Sequence, residues 1–492
     1  MSARQQTAVP AAVEARPRRR ARIAELLEEN GTLVLVVCAF AIVVATHIPQ
    51  GLAADGWMAL LSGREIVQHG LPSHDALTVW AHGRRWVDQQ WLAQVMLYGL
   101  QRLGGLRLVM LVHAAFAAGG LAAAAVLTRR LGATARSATW ICIPVLVAYY
   151  PEAVVMRPQS FTYVLFVAVF ALLLLDRGLE SWRVYLVFPA LILWANLHGS
   201  VVVGAALVSL YGLIGLVGTL REKSAGRKRF ALLTVLPWAC ILASPYAIQL
   251  PSYYEKILVG AHFGRYVTEW RAATPGLATA PLYLLVVLGA WLFGRVRGQA
   301  SLFEAAAFFL TAAMAFQAVR NMAWFGLVAI AVLPRLLDGL RGKVDDPKRL
   351  NRLIATVALG GTFVTVLGVA AENRAWFLPS YPPAAADAAA TAAGAHGRVF
   401  ANEAFADWLV WAHPSLAGRI AFDSRFELLT NRQLQSIVEF RARVGNWQKI
   451  AAGYDVLVLD AAGDEKKVVR SLVRSGDAKQ VATHGGIAVL KR

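Results

Sequence analysis

The chain of 492 residues is short of charge, of acid and of cysteine. Charged residues make up 16% of it and hydrophobic residues 57%, with a mean hydropathy of +0.51, whereas an ordinary soluble domain is about 25% charged. So little charge cannot cover so much apolar surface in water. This excludes a soluble enzyme, a disordered protein and a fibrous repeat. Cysteine is limited to Cys38, Cys142 and Cys240, each inside an apolar run, which excludes a disulfide framework and a zinc site. The first apolar run, Thr32–Ile48, follows the basic cluster Arg16, Arg18, Arg19, Arg20 and Arg22 and lacks a small-residue cleavage site. It reads as a retained helix rather than a signal peptide. No internal repeat is visible.

What remains is a mainly α, polytopic transmembrane helical bundle. Apolar runs recur at 32–48, 106–128, 137–151, 160–175, 184–197, 199–220, 230–250, 281–294, 302–319, 322–337 and 353–370, which gives about eleven spans. Several are short for a membrane crossing. Lys and Arg outnumber Asp and Glu by 49 to 30. With the N-terminus in the cytoplasm, the loops on that side carry more than twice the Lys and Arg of the opposite loops. The basic excess is therefore topogenic, and a nucleic-acid partner is not expected. The expected organisation is a basic cytoplasmic tail over 1–31 and a membrane domain over 32–371 with a long first outer loop, 49–105. An Ala/Pro linker over 372–394 then leads to a small extracytoplasmic α/β domain over 395–492. Its expected strands are Arg398–Phe400, Arg419–Phe422, Tyr454–Leu459 and Gly486–Leu490, with a helix over Glu465–Ser475.

The first outer loop carries most of the chemistry-bearing residues. It contains Asp55, Trp57, Arg64, Glu65, His69, His74, Asp75, Arg84, Arg85, Trp86 and the run Asp88-Gln89-Gln90-Trp91. Amphipathic patterns at Trp57–His69 and Gln90–Leu103 predict two interfacial helices framing a groove. Asp55 follows the first span, where a carboxylate serves as a general base, a cation ligand or a helix cap. His69, His74, Asp75 and His82 match no recognisable metal-site spacing. Trp57, Trp86 and Trp91 offer faces for sugar rings or pack the two helices together.

The pattern D-x-W-x-x-L-x-x-G-x-x-I-x-x-x-G-x-P-x-x-D, followed by G-x-x-W-x-x-x-x-W-L, resembles the first outer loop of the GT-C superfamily of polytopic glycosyltransferases. Other matching pieces are Arg157-Pro158-Gln159, Asn196-Leu-His198-Gly199-Ser200, Ser244-Pro245-Tyr246, Glu269-Trp270, Arg320-Asn321, Asn402, Trp408-Leu409 and Asp423-Ser-Arg425. The resemblance implies a bacterial inner-membrane enzyme that moves a sugar from a polyprenyl-phosphate donor to an envelope glycan, lipid or protein. It implies Asp55 as the catalytic residue, which activates the acceptor as a base in an inverting displacement or helps hold a metal, and Glu152 as the nearest candidate for a second outer-loop acid. It names no certain cofactor and leaves a divalent metal open.

A departing lipid phosphate calls for guanidinium groups. Arg157 and Arg320, at the ends of apolar spans, are the expected donor-phosphate ligands; each is alternatively an ion-pair partner of Glu152 or Glu269. The expected substrate groove is completed by Trp57, Arg64, Glu65, Asp75, Trp86, Glu152, Asn196, His198 and Glu269. Asn196 and His198 read equally as a polar helix end satisfied by its own backbone. Asp423 and Arg425 read as acceptor contacts or as a pair closing a loop. A non-catalytic scaffold of the same fold and a lipid-linked-sugar transporter are the rival functions.

Overall fold

The computed structural model describes residues 19–258, 265–342 and 348–492. The basic tail before Arg19 and part of the loop between 341 and 348 lie outside them. Seventeen helices and one four-stranded sheet make up the described chain. The helices are α1 Arg19–Gly51, α2 Ala54–His69, α3 Trp91–Arg130, α4 Ala135–Val154, α5 Ser160–Leu174, α6 Val187–Leu197, α7 Val201–Arg221, α8 Arg227–Ile241 and α9 Leu250–Leu258. Then follow α10 Ala280–Arg295, α11 Leu302–Gln317, α12 Met322–Arg341, α13 Lys348–Ala371, α14 Pro383–Ala393, α15 Glu403–Ala412, α16 Asn431–Ala442 and α17 Lys466–Ser475.

A helix lies on each of the eleven expected runs, and six are long and apolar enough to cross a membrane. The chain is a multi-pass membrane protein. The run expected at 230–250 stops as a helix at Ile241, ahead of Pro245, because the residue before a proline avoids the helical region. Burial orders the bundle. In α12 83% of the apolar window is covered by protein, so it is the central helix, whereas in α13 only 17% is covered. Leu353, Val357, Phe363, Val364 and Leu367 of α13 face outward, as lipid-facing residues do.

The first outer loop is folded throughout. Two amphipathic helices form as the pattern predicts: α2, and the first part of α3. The latter breaks from the spanning part at Gly104 and Gly105. Gly105 adopts φ +68°, a left-handed conformation that costs glycine nothing. Helices α2 and α3 cross closely at Gly63, where a Cβ would lie 2.2 Å from the Gln94 carbonyl oxygen.

The C-terminal sheet comprises β1 Val399–Ala401, β2 Val456–Asp460, β3 Lys479–His484 and β4 Ile487–Lys491, in the order β1-β2-β4-β3. Strands β1 and β2 are parallel, with Phe400 opposite Leu457; β4 is antiparallel to both β2 and β3. The expected strand Arg419–Phe422 makes only single rungs, with Ile420 bridging Val399 on one side and Thr78 on the other. Backbone bonds from Val79 to Ile420 (2.8 Å), Trp80 to Ala421 (3.0 Å) and Gly418 to Leu77 (2.9 Å) stitch the first loop onto this edge. The segment expected as a linker is instead a structural helix: α14 buries Ala385, Ala386, Ala389 and Ala393 against the sheet. Alanine is the best helix former and Pro383 suits the first helical position. One face of the module thus shares a hydrophobic core with the loop and the bundle, while its other face forms a separate core around Phe400, Leu457 and Leu490.

Candidate functional site

At the end of the bundle that carries the module, carboxylates from three segments converge on one guanidinium group, with a second arginine beside them. Asp55 sits in the first turn of α2, where the helix N-terminus favours a carboxylate. Glu152 lies in the last turn of α4, and Arg157 in the turn between α4 and α5. Glu269 belongs to the 3-10 turn Thr268–Trp270, and Arg320 to the 3-10 turn Val319–Asn321 ahead of α12. Backbone bonds fix these turns: Met156 N–H to the Gly51 carbonyl (2.9 Å), Val319 N–H to Arg271 (3.0 Å) and Ala273 N–H to Phe316 (2.9 Å).

Arg157 is the hub. Its Nε stands 2.9 Å from Asp55 Oδ2, and its Nη1 is 3.3 Å from Glu152 Oε2 and 2.6 Å from Glu269 Oε2. Arg320 Nη1 stands 3.5 Å from Glu269 Oε1, and its guanidinium lies 4.5 Å from the centre of the Trp270 ring. The side chain of Asp55 is 41% exposed and that of Arg157 19%, so the cluster opens on the Asp55 side. Burial would raise the Glu269 carboxyl, but Arg320 and Arg157 together hold it below the usual carboxylate range. Burial would weaken Arg157 as a cation, and Asp55, Glu269 and Glu152 more than reverse that. His198, just past α6, is pushed down to about 3, first by burial and then by Arg320 and Arg157. It is a neutral imidazole at physiological pH. Its Nδ1 accepts from the Ser200 N–H (3.1 Å), which leaves the ring proton on Nε2.

The structure therefore brings together Asp55, Glu152, Arg157, Glu269, Arg320 and, at longer range, His198. Other expected groove residues lie elsewhere. Trp57 is fully buried against Tyr381 and Trp411. Arg64 donates to the Trp411 and Val410 carbonyls (3.0 and 3.1 Å) and stacks over Trp411, so it ties α2 to α15. Glu65 pairs with Arg64 and His69 along its own helix. Asn196 accepts from Trp91 Nε1 and donates to the Ile192 and Ala243 carbonyls, a helix-end joint. Asp75 and Trp86 belong to a second buried network. Arg425 Nη2 is 2.5 Å from both Asp75 Oδ1 and Asp423 Oδ2, and its guanidinium lies over Trp86 at 4.3 Å. Asp423 and Arg425 thus close a seam between the module and the first loop.

Among the described residues, no group of three or more His, Cys, Asp and Glu is placed to hold a metal ion. Asp55, Glu152 and Glu269 do converge, but on the Arg157 guanidinium, which stands where a cation would have to bind. These side chains do not fit a metal. Reading by motif missed the polar lining under Asp88, Gln89, Gln94 and Glu427. The only signal for it was the Asp-Gln-Gln run ahead of α3.

Among solved structures the chain is similar to ArnT from Cupriavidus metallidurans in the apo state, at 14% identity over 93% of this chain and 97% of that one, TM-score 0.52. It is also similar to the archaeal oligosaccharyltransferase AglB from Archaeoglobus fulgidus, in complex with an inhibitory peptide and a dolichol-phosphate, at 12% identity over 89% and 70% of the two chains, TM-score 0.53. No protein-family model and no curated protein sequence matches. The likeness runs over nearly the whole chain, bundle and module together, so the chain shares its fold with these two proteins.

Proposed function

We propose that this GT-C-fold chain is an integral-membrane glycosyltransferase of the bacterial inner membrane. It moves a sugar from a polyprenyl-phosphate donor to an envelope acceptor on the outer face, where the C-terminal module also lies. The observation that carries the reading is the Arg157 hub: a guanidinium shared by three carboxylates, one of them the half-exposed Asp55, beside a second arginine. That AglB holds a dolichol-phosphate on the same fold supports a lipid-phosphate partner.

The chemistry follows from charge. A donor phosphodiester entering on the Asp55 side competes with the carboxylates for Arg157 and Arg320, both of which present forked N–H donors. Asp55 is then released from its ion pair and accepts the acceptor hydroxyl proton. The acceptor oxygen bonds to the anomeric carbon as the bond from that carbon to the phosphate oxygen breaks, with inversion. The leaving polyprenyl phosphate gains one negative charge, and the two guanidinium groups stabilise it. Neutral His198 adds no competing charge. A second reading has one observation in its favour: Arg157 has all its carboxylate partners in place, as a permanent structural hub in a non-catalytic scaffold would.

The test uses the full-length protein in nanodiscs. Asp55→Asn should retain binding of undecaprenyl phosphate while transfer from labelled polyprenyl-phosphate sugars to envelope fractions falls by about 10²–10⁴-fold. Arg157→Gln should lose the lipid-phosphate binding. Full transfer by Asp55→Asn, or unchanged binding by Arg157→Gln, overturns the assignment.

A further inference from the structure

Next to the ionic cluster is a second polar cavity to which the chemistry above gives no role. It is partly open, has room of about 30 Å³, and lies between α2, the start of α3, α9 and the module. Asp88, Gln89, Gln94 and Arg425 line it, and they are 2%, 7%, 0% and 5% exposed. Gln94 Nε2 donates to Asp88 Oδ1 at 2.8 Å. Four buried atoms are left with no protein partner: Asp88 Oδ2, Gln89 Oε1, Gln94 Oε1 and Arg425 Nη1. Native structures rarely leave such groups unpaired. Four around one cavity describe the ligand that would fill it.

Three of the four are oxygens that accept, and the fourth is a guanidinium N–H that donates. An anion is disfavoured by the oxygens and a cation by the guanidinium. An apolar group satisfies none of them. A hydroxyl suits the set better than any of these, because its O–H donates to one of the three acceptors while its oxygen accepts from Arg425. The room suits a hydroxyl-sized group rather than a whole sugar ring, since about 10–15 Å³ of such space already holds a water molecule. The cavity also adjoins the ionic cluster from two sides. Met58 on its wall is one turn along α2 from Asp55, and Gln89 packs against Gly199, the residue after His198.

We infer that this cavity is a sugar subsite, in which Asp88, Gln89, Gln94 and Arg425 receive one hydroxyl of a neutral saccharide whose ring lies toward Asp55. The inference rests on the glycosyl-transfer reading and deepens it by naming the group that orients the sugar. Two sources share this chemistry, the donor sugar and a glycan acceptor.

The experiment is saturation-transfer NMR on the full-length protein in nanodiscs, with methyl glycopyranosides and their monodeoxy analogues as acceptor-like probes. Polyprenyl-phosphate sugars serve as donor probes, compared with undecaprenyl phosphate alone. Wild type should bind a methyl glycoside, or a sugar-bearing lipid more tightly than the bare lipid phosphate. Removing one particular hydroxyl should weaken binding by about fivefold or more. Gln89→Leu and Asp88→Ala should weaken it likewise and leave undecaprenyl phosphate binding unchanged. Two separate variants guard against a single misfolded one. A preference among methyl glycosides assigns the acceptor, and a preference confined to sugar-bearing lipid assigns the donor. Saccharide binding indifferent to both variants, or a cavity holding water alone with saccharide at saturation, overturns the subsite. Lipid-phosphate binding that ignores Arg157→Gln while saccharide still depends on Gln89 sinks the transferase reading and leaves the subsite standing.

Discussion

Replacing Arg425 by methionine removes the buried cation that Asp75 and Asp423 share in the seam between the first loop and the module while filling similar space. Arg425 is 5% exposed, pairs with Asp75 and Asp423 at 2.5 Å, and covers Trp86. Asp407 is nearby, and burial, followed by the charge of Asp423, holds its carboxyl well above the usual range. Stripping one partner from a buried ion pair costs about 3–5 kcal/mol, and the lost contact over Trp86 adds about 1 kcal/mol. Some of this is offset. Asp75 retains bonds from the Leu77 N–H, the Thr78 N–H and the Thr78 hydroxyl. We expect a net loss of about 3 kcal/mol at pH 8. The loss should be smaller at pH 5. A buried carboxyl without its cation has a folded-state pKa above its unfolded one, so the folded state takes up protons more readily and gains as pH falls. Pulse proteolysis in nanodiscs, read as cleavage between the loop and the module, measures this, with Asp75→Asn/Arg425→Met as the partial rescue. A loss under about 1 kcal/mol, or one equal at both pH values, would refute the argument that this seam is held by buried charge.

Two further outcomes follow. Gly63→Ala should destabilise by about 1–3 kcal/mol, since its Cβ would meet the Gln94 backbone oxygen at 2.2 Å, while Gly99→Ala, with open space around it inside α3, should stabilise by up to about 1 kcal/mol in the same thermal scan. Asp88 is raised to about 7 by burial, against the Gln94 hydrogen bond and Arg425. The folded state therefore binds more protons than the unfolded chain between about pH 4 and 7, and stability falls as pH rises through that window. Asp88→Asn should be more stable than wild type at pH 8 and lose that advantage by pH 4, in thermal unfolding followed by tryptophan fluorescence.

Hydrophobic periodicity made the bundle legible, since apolar length and amphipathic spacing mark helices directly, and Asp55, Arg157, Glu269 and Arg320 stood out as charges beside apolar runs. Strand β3 was invisible because Lys479–His484 is an exposed edge with no apolar alternation. The Ala-rich stretch before the sheet read as a linker because alanine signals helix only weakly beside three prolines. The aromatic and charged residues of the first loop were read as groove lining. In the fold Trp57, Arg64, Asp75 and Trp86 are joints to partners more than 300 positions away, such as Trp411 and Arg425. A local pattern does not reveal such a partner. The cavity of Asp88 and Gln94 was hidden for the same reason, since its fourth wall comes from the module.

The rungs joining residues 77–80 to 418–421 also constrain how the molecule is made. Arg84 and the Leu428 carbonyl it meets are 344 positions apart, so translation completes one side of that seam long before the other exists. Until then the nascent loop presents an open β edge and a buried-type aspartate with no cation. The seam closes only when residues 418–428 arrive, and a chain truncated ahead of them leaves the cavity without one wall.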